Sequence, residues 1–425
     1  MVGLLFGSLF ICLFLTVPIA ISLAISTLVV IVNGHPNMLN MLAQAMVTSV
    51  DNYALMAIPL FMLLGIIMEK AGIARSLIDL ADAFVGSKPG GLGTAAIVAC
   101  MFFAAISGSG PACVAAIGTI ICPSMKKQGY DADYCGALVA AGSTIGPVIP
   151  PSIPLIVYGA TIGVSVTGLF ASGVIPGILM GLVLILYNKF VSKKRGYRGT
   201  DAENVNKLKV LKGSIWAILM PVIVLGGIYA GFFTPTEAAV VGVVYSIAVG
   251  VFVYRELTFK KFLDSLLEAA ILSATVMIAM GGASTFGRIL TLEKVPTLLT
   301  NLLYGVSSNP IIIMLMINFI LLIAGMFIDT TSNIILFAPL FCPIVSALGY
   351  NLIYFGLVMC VNLCIGFLTP PLGVNLFVGQ KVSGGTFEGV VKEVLPMILL
   401  LTLLLVVVIA FPQLSLFLPK LMGLI

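Results

Sequence analysis

Apolar segments long enough to cross a lipid bilayer occupy most of this chain, and no other feature restricts its fold as strongly. A transmembrane helix requires about 20 mostly apolar residues. Because such segments recur from one end of the sequence to the other, we expect an all-α, polytopic membrane protein. The uninterrupted candidate spans are residues 3–17 and 18–32, which meet at Val17-Pro18, and residues 52–69, 169–190, 214–231, 236–254, 266–285 and 389–411.

The composition supports the same fold class. Of 425 residues, 60% are hydrophobic and only 9% are charged, whereas a soluble domain has about 25% charged residues. The chain therefore has too little charge to cover a surface in water. This excludes a soluble enzyme, a disordered chain, a disulfide-stapled secreted domain and a nucleic-acid-binding protein, so we expect membrane lipid and no nucleic acid around it.

Two apolar segments are interrupted by short polar sequences. Residues 92–124 are broken at SGSGP (107–111), and residues 310–345 are broken at DTTSN (329–333). Each arm is too short to cross a membrane comfortably. We therefore predict two re-entrant helical hairpins whose tips lie near the middle of the membrane.

Two further segments are interrupted by double prolines. Residues 132–165 contain Pro150-Pro151, and residues 352–380 contain Pro370-Pro371. Proline removes a backbone donor and blocks continuation of a helix. These segments are therefore predicted to be discontinuous helices.

The first half of the chain recurs in the second half at an offset of 220 positions, as Pro150-Pro151 and Pro370-Pro371 illustrate. The matches of glycine and proline matter most, because these residues set backbone breaks. We predict a first repeat over residues 1–190, a linker over 191–212 and a second repeat over 213–425. Further identical pairs are Cys122/Cys342, Pro123/Pro343, Gly129/Gly349, Tyr130/Tyr350, Tyr134/Tyr354, Gly136/Gly356, Gly146/Gly366, Gly159/Gly379 and Pro176/Pro396.

Lysine and arginine indicate the orientation, because they are enriched in cytoplasmic loops. The densest cluster covers residues 189–198 and continues in 207–212. The linker between the repeats is therefore predicted to be cytoplasmic. Arg288 and Lys294 fall on the outer side by the same count and fit the rule less well.

The two hairpins differ in the charges around them. Lys88, Lys126 and Lys127 flank the first hairpin, which should enter from the cytoplasm, whereas no base flanks the second, which should enter from outside. The repeats are therefore predicted to be inverted. Inverted repeats with broken helices are typical of secondary transporters, which bind substrate and coupling ions near the middle of the membrane.

The four interruptions supply oxygen atoms for cations. Irregular backbone at membrane depth is tolerated only within protein or along a wet cavity, and its free carbonyl groups are ligands for a hard monovalent cation. We predict one sodium pocket in each half, built from a hairpin tip and a broken helix. The candidate ligands are Ser107, Gly108, Ser109, Gly146 and Ile149 (mainly its carbonyl) in the first half, and Gly325, Asp329, Thr330, Asn333, Gly366 and Thr369 in the second.

Each of these features has a simpler interpretation. Ser107 and Ser109 are also explained as helix caps, and Asp329 as an N-cap in an aqueous funnel. The double prolines are also explained as simple kinks. Asn375 has Leu155 at the equivalent position and is also explained as a contact between helices.

Catalytic residues are scarce. The chain has one histidine, His35, and its eight cysteines are scattered mostly in apolar segments. Asp329 is the one acid assigned to mid-membrane, with no second acid near it in sequence. We therefore expect no enzyme activity, and no metal or cofactor other than Na⁺ as a coupling ion.

Four motifs carry a resemblance to a known family. They are ISGSGPACVAAIG (106–118), GSTIGPVIPPSIPLIVYG (142–159), GMFIDTTSNIILFAPLFCPI (325–344) and IGFLTPPLGVNLFVG (365–379). In sequence and order they resemble the large membrane subunit of tripartite ATP-independent periplasmic (TRAP) transporters, within the ion transporter superfamily. The resemblance covers essentially the whole chain.

The resemblance implies an elevator-type transporter in the bacterial inner membrane, driven by sodium. Scaffold helices would lie in residues 1–85 and 213–305, transport elements in 90–165 and 310–380, and a closing helix at 387–411. A periplasmic binding protein would deliver a carboxylate of the sialic acid or C4-dicarboxylate class, and a separate small four-helix membrane subunit (Q type) would complete the complex. The carboxylate would lie near Ser109, Pro111, Ser152, Thr331 and Asn333.

A second function stays open from the sequence alone. A stand-alone sodium/carboxylate symporter or anion exchanger of the same superfamily would need no binding protein. The substrate, the ion-to-substrate ratio and the topology of residues 1–32 are not determined by the sequence.

Overall fold

The computed structural model describes residues 1–85, 89–107, 109–197 and 207–425. At positions 41, 54, 74, 85, 104–107, 207 and 209 only the backbone is described. Within these ranges the chain is helical and contains no strand, which confirms the predicted all-α class. Lys88, Gly108 and residues 198–206 of the predicted linker lie outside the described residues.

The first half contains ten helices in the described ranges. They are α1 (Val2–Phe14), α2 (Ile19–Gly34), α3 (Leu39–Thr48), α4 (Ala57–Lys70), α5 (Ile73–Val85), α6 (Gly91–Ser107), α7 (Gly110–Lys127), α8 (Ala132–Ser143), α9 (Ile153–Ile162) and α10 (Val166–Arg195).

The second half also contains ten helices in its described part. Its helices are α11 (Lys207–Tyr229), α12 (Pro235–Ala248, which continues as a π-helix over Val249–Val253), α13 (Phe259–Leu292), α14 (Val295–Val306), α15 (Pro310–Phe327), α16 (Thr330–Ala347), α17 (Leu352–Gly366), α18 (Val374–Ser383), α19 (Phe387–Ala410) and α20 (Gln413–Leu421).

Seven helices among the described residues are long and apolar enough to cross a membrane, or eight if the bent pair α4–α5 forms one span. Helices α6 and α7 form the first predicted hairpin, and α15 and α16 form the second. The discontinuous helices are also present, as α8 with α9 and as α17 with α18. The predicted interruptions are confirmed, although the second tip is shorter than expected because the α16 helix already begins at Thr330.

The first 34 residues form two short antiparallel helices. Helix α1 ends at Phe14, and the chain turns before α2 begins at Ile19. The side chain of Met1 packs against Gly34 at the opposite end of α2. This arrangement resolves the ambiguity between two short crossings and one bent helix in favour of two helices, with 13 and 16 residues.

Three boundaries differ from the sequence prediction. Helix α13 has 34 residues and extends well beyond the predicted span 266–285. Residues 191–195 continue α10, and 207–212 begin α11, so the predicted linker includes two helix ends. Lysine-rich sequence continues a helix readily, because its long side chains extend their charged heads into water.

The helices pack into two groups. Helices α2–α4 pack mainly with α12 and α13, while α5 packs against both α11 and α6; we call α1–α5 together with α11–α14 the peripheral group. Helices α6–α10 and α15–α20 form the hairpin group. We call the end of the bundle that holds Arg195, where α10 ends, the linker end, and the end that holds Met1 and Gly34 the distal end.

Within the hairpin group, each discontinuous helix contacts both hairpins. Helix α18 from the second half packs against α7 and α8 from the first, and α9 from the first half packs against α16 and α17 from the second. Glycines permit these crossings: a Cβ atom built on Gly136 would lie 2.8 Å from the carbonyl oxygen of Gly379. Close contact between the halves therefore explains Gly136 and Gly379, each a member of a repeated pair.

Charged residues connect the two halves at the linker end. Arg195, the last residue of α10, donates two hydrogen bonds of 2.9 Å to the carboxylate of Glu393 on α19 and one of 3.2 Å to Asp131. The hydroxyl of Tyr197 donates to the same Asp131 carboxylate over 2.6 Å. Burial raises the pKa of Tyr197 to about 12, so its hydroxyl remains a donor at neutral pH.

Candidate functional site

Both hairpin tips and both discontinuous helices line one cavity of about 270 Å³ between the two helix groups. The peripheral group contributes α4 and α13, and the hairpin group contributes the remaining wall. The lining residues are Met62, Gly65, Ile66, Glu69, Glu268 and Leu272 from the peripheral group, and Ser109, Gly110, Pro111, Ala112, Pro147, Ile153, Pro154, Asp329, Thr330, Thr331 and Phe367 from the hairpin group.

Three helices begin at this cavity, namely α7, α9 and α16. The Ser109 hydroxyl caps α7 by accepting a hydrogen bond from the amide of Ala112 (3.4 Å). The Asp329 carboxylate caps α16 by accepting from the amide of Ser332 (3.0 Å). Helix N-termini carry partial positive charge and free N–H groups, so this wall of the cavity favours an anion.

Carboxylates also line the cavity. Glu69 and Glu268 face it from the peripheral group, and Asp329 faces it from the second hairpin tip. No lysine or arginine is among the lining residues that the structure describes; Lys70 lies nearby and pairs with Glu268 over 2.9 Å. Neither glutamate is among the site residues predicted from the sequence. An acidic residue inside a predicted membrane span is the sequence feature that could have identified them, because such a residue is a candidate for function. Glu69 lies in the predicted span 52–69 and Glu268 in 266–285.

The first predicted sodium set is only partly described. Gly108 and the side chain of Ser107 lie outside the described part of the chain. Ser109 lies at the tip and lines the cavity, and Gly146 is buried where α8 ends. The side chain of Ile149 packs against Gly177 of α10. Of this set, the structure places Ser109 at the central cavity, and the role of the set as a sodium site stays a prediction.

Asn375, which the sequence also explains as a contact between helices, is a neighbour of this tip. Its amide group lies about 3.1 Å from where a Cβ on Gly110 would be. The Nδ2 group donates to the carbonyl of Ala140 (3.3 Å), and the buried Oδ1 atom has no partner among the described residues. The sequence feature that could have placed Asn375 at the site is its position in the first helical turn after the repeated pair Pro370-Pro371.

The second predicted set lies where α15, α16 and α17 meet. Gly325 and Gly366 touch, since a Cβ on Gly366 would lie 2.6 Å from the carbonyl carbon of Gly325. The Asn333 Nδ2 group donates to the carbonyl of Ile328 (2.8 Å). Buried oxygens without a partner among the described residues are Asn333 Oδ1 and Thr330 Oγ1.

Two further members of the second set, Thr369 and Asp329, are also hydrogen-bonded. The hydroxyl of Thr369 donates to the carbonyl of Ile365 (2.9 Å), which leaves its oxygen able to accept. Asp329 is exposed and has the N-cap geometry that was the simpler interpretation of this residue. A sodium-ligand role for either residue stays a prediction.

The predicted substrate residues divide into two kinds. Ser109, Pro111 and Thr331 line the cavity. Ser152 and Asn333 are fully buried behind its wall, and neither is a lining residue. The Ser152 hydroxyl donates to the carbonyl of Pro147 and caps α9, so it shapes the discontinuous helix rather than facing the cavity.

Comparison with known proteins gives consistent matches along the chain. The family described as "Tripartite ATP-independent periplasmic transporter, DctM component" matches residues 6–414. The isethionate TRAP transporter permease protein DctMQ of Oleidesulfovibrio alaskensis is 45% identical over 88% of this chain, which spans 59% of that protein's length.

Two further relatives match along most of their own length. The C4-dicarboxylate TRAP transporter large permease protein DctM of Pseudomonas aeruginosa is 39% identical, with 91% of each chain covered. The sialic acid TRAP transporter large permease protein SiaM of Vibrio cholerae is 38% identical, with 90% of each covered.

Among solved structures, the Alcanivorax borkumensis YdaH transporter has a similar fold. It superposes with a TM-score of 0.63 over 88% of each chain at 14% sequence identity. At this identity the similarity supports the fold and no finer property.

Proposed function

This chain belongs to the DctM family of tripartite ATP-independent periplasmic transporters, and we propose that it is the large permease subunit of a sodium-driven importer of organic anions. The anion would be a carboxylate of the sialic acid or C4-dicarboxylate class. Isethionate, for which one relative is named, is a sulfonate with a similar charge. A periplasmic binding protein and a small Q-type membrane subunit would complete the complex in the inner membrane.

The observation that carries the proposal is the charge of the central cavity. Glu69, Glu268 and Asp329 line it, and the described lining includes no base. Of these three carboxylates, Lys70 pairs with Glu268 alone. An organic anion in such a cavity is repelled unless cations also offset the other carboxylates, because like charges at close range interact strongly in a low dielectric. Sodium bound at the adjacent tips would supply that charge, and the N-termini of α7, α9 and α16 would orient the anion.

The proposed transport step is a displacement of the hairpin group against the peripheral group. The cavity lies between these groups, so such a displacement changes which end of the bundle it faces. Coupling follows if the hairpin tips are ordered by sodium, because a ligand shifts a conformational equilibrium only by its difference in affinity for the two states.

Reconstitution tests the driving ion. The chain, its small subunit and its binding protein are incorporated into vesicles, and uptake of labelled succinate, N-acetylneuraminate and isethionate is measured with and without an inward sodium gradient. We expect the vesicles to accumulate one of the three anions, and to do so only when the sodium gradient is imposed. Uptake that is equal in sodium-free buffer would contradict the proposal.

The stand-alone symporter or exchanger is the alternative function. The same vesicles without the binding protein distinguish the two. Equal uptake of free substrate without the binding protein would favour the alternative.

Ser109→Ala separates a ligand role from helix capping. Ser165 caps α10 in the same way, by accepting from the amide of Gly168 (3.1 Å), and serves as the matched control. Loss of either cap costs about 1 kcal/mol of stability, so we expect similar small decreases in melting temperature. Only Ser109→Ala should also lower sodium-driven uptake, by about tenfold, which corresponds to ~1.4 kcal/mol of binding free energy. Equal uptake by both variants would assign Ser109 to capping alone.

A further inference from the structure

A second cavity of about 380 Å³ lies between the two helix groups at the distal end. Its peripheral wall is formed by α13 together with Ser49, which follows α3. Its other wall is formed by Thr161 of α9 and by Ile335 and Pro339 of α16. It is separate from the central cavity, with which it shares no lining residue.

Arg288 is the one charged residue among the described residues that line this distal cavity. Its side chain is exposed, and no acid pairs with it within the described chain. It also lies at the end of the bundle opposite the lysine-rich linker, where the charge rule disfavours a base. The guanidinium group presents a planar fork of donors that matches a carboxylate or a sulfonate.

Ser284 supplies a second donor one helical turn before Arg288. Residues four apart lie on the same face of a helix, and both line the cavity. The hydroxyls of Thr161 and Thr291 instead donate to helix carbonyls over 2.7 and 3.0 Å. No such bond occupies the Ser284 hydroxyl within the described residues, so it is free to donate to an anion beside Arg288.

A matching cavity at the linker end has a different charge. It has a volume of about 400 Å³ and is lined by Glu69, Glu256 and Arg75, and by Thr119 of α7. Thr119 corresponds to Pro339 by the offset of 220 positions, so the two cavities are equivalent under the repeat. Two acids and one base line the linker-end cavity, whereas a lone base lines the distal one.

We propose that Arg288 and Ser284 form a waiting site for an organic anion, a carboxylate or a sulfonate, in the distal cavity. The anion binds there through the guanidinium fork and the serine hydroxyl before it reaches the central cavity. This inference rests on the proposed function, since it adds an entry site to the same transport route. The contrast between the ends of the bundle favours anion capture at the distal end alone.

Cysteine labelling tests the site without requiring transport. Thr291→Cys places a thiol one turn from Arg288 and leaves both proposed donors intact, in a Cys12→Ser background that removes the one half-exposed native cysteine. The purified full chain with its small subunit is treated with an anionic sulfonatoethyl or a cationic trimethylammonioethyl methanethiosulfonate. Thr119→Cys in the linker-end cavity is the matched control.

We expect Arg288→Gln to lower the ratio of anionic to cationic labelling rates at the Thr291→Cys thiol by about fivefold, as loss of one nearby charge predicts. Arg288→Lys should retain most of the ratio, and the ratio at Thr119→Cys should not change. Succinate or isethionate should slow labelling at Thr291→Cys only when Arg288 is present. A ratio unaffected by Arg288→Gln, or equal protection in that variant, would overturn the proposal.

The outcome is independent of the driving ion. If the labelling ratio and the protection by anions both depend on Arg288 but uptake ignores sodium, the waiting site stands and the proposed function fails. If uptake follows sodium but labelling does not depend on Arg288, the waiting site fails and the proposed function stands.

Discussion

Replacement of Asn333 by alanine is expected to abolish sodium-driven uptake while the protein still folds and assembles. Asn333 is fully buried, and its Oδ1 atom has no partner among the described residues. A buried oxygen without a partner costs about 1–3 kcal/mol, so its removal is not by itself destabilising. Its Nδ2 group holds the carbonyl of Ile328 just before the tip.

Two losses therefore coincide in Asn333→Ala. The second sodium pocket loses an oxygen ligand, and the backbone before α16 loses its anchor. We expect uptake to fall by about 100-fold, which corresponds to ~2.7 kcal/mol. Sodium should raise the melting temperature of the variant by less than that of the wild-type protein, because only the first pocket remains intact.

Asn309→Ala is the control for this prediction. Asn309 lies at the start of the same hairpin, is exposed, and caps α15 by accepting from the amide of Ile311 (2.9 Å). Its replacement should lower stability by about 1 kcal/mol and leave uptake near the wild-type rate. Wild-type uptake by Asn333→Ala, or an unchanged sodium effect on its melting temperature, would show that the second pocket is placed wrongly.

The sequence predicts the order of elements well because interruptions in apolar segments have local causes. Proline prevents a backbone hydrogen bond, and a polar sequence such as DTTSN cannot face lipid without partners. The hairpins and discontinuous helices therefore follow from neighbouring residues alone. The same local reasoning predicts that Ser109 and Asp329 lie at tips, and the structure gives both residues the capping geometry.

The sequence does not predict which elements pack together across the halves. We expected each pocket to use the hairpin and the discontinuous helix of one half. Instead, α18 also packs against α7 and α8, so that Asn375 lies beside the first tip. A repeat reveals equivalent positions, but contact between the halves depends on the approach of distant helices.

The acids of the central cavity were missed for a related reason. Glu69 lies near the end of its helix, where a charge is ordinarily read as solvated. Glu268 lies within α13, and its significance emerges only when α4 and α13 pack side by side and both acids face the hairpin tips. Residues 199 positions apart, such as Glu69 and Glu268, have no local signal that pairs them.

Gly366→Ala is expected to have the second large effect, because no space exists for a methyl group. A Cβ atom at Gly366 would lie 2.6 Å from the carbonyl carbon, 2.7 Å from the Cα atom and 2.8 Å from the oxygen of Gly325. These are backbone atoms, which cannot rotate away as a side chain does. The second hairpin must therefore separate from α17, and overpacking of this kind costs about 1–3 kcal/mol.

The separation should move the tip that carries Thr330 and Asn333, so we expect no measurable uptake from Gly366→Ala. Gly325→Ala gives a graded comparison if the first variant fails to fold. Its Cβ would lie 3.3 Å from the nearest atoms of Gly366 and Leu363, so a shift of a few tenths of an ångström accommodates it, and uptake should be reduced but detectable.

Gly305→Ala is the neutral control, since a Cβ at this position of α14 meets no atom within 4 Å. Alanine favours a helix over glycine by about 0.5–1 kcal/mol, so this variant should be slightly more stable and should transport normally. Uptake and melting temperature together check the series: the order Gly305→Ala, Gly325→Ala, Gly366→Ala should run from normal to absent uptake. Normal uptake by Gly366→Ala would mean that the second hairpin and α17 are not in contact in the transporting protein. The proposed sodium pocket would then lose the backbone approach on which it depends.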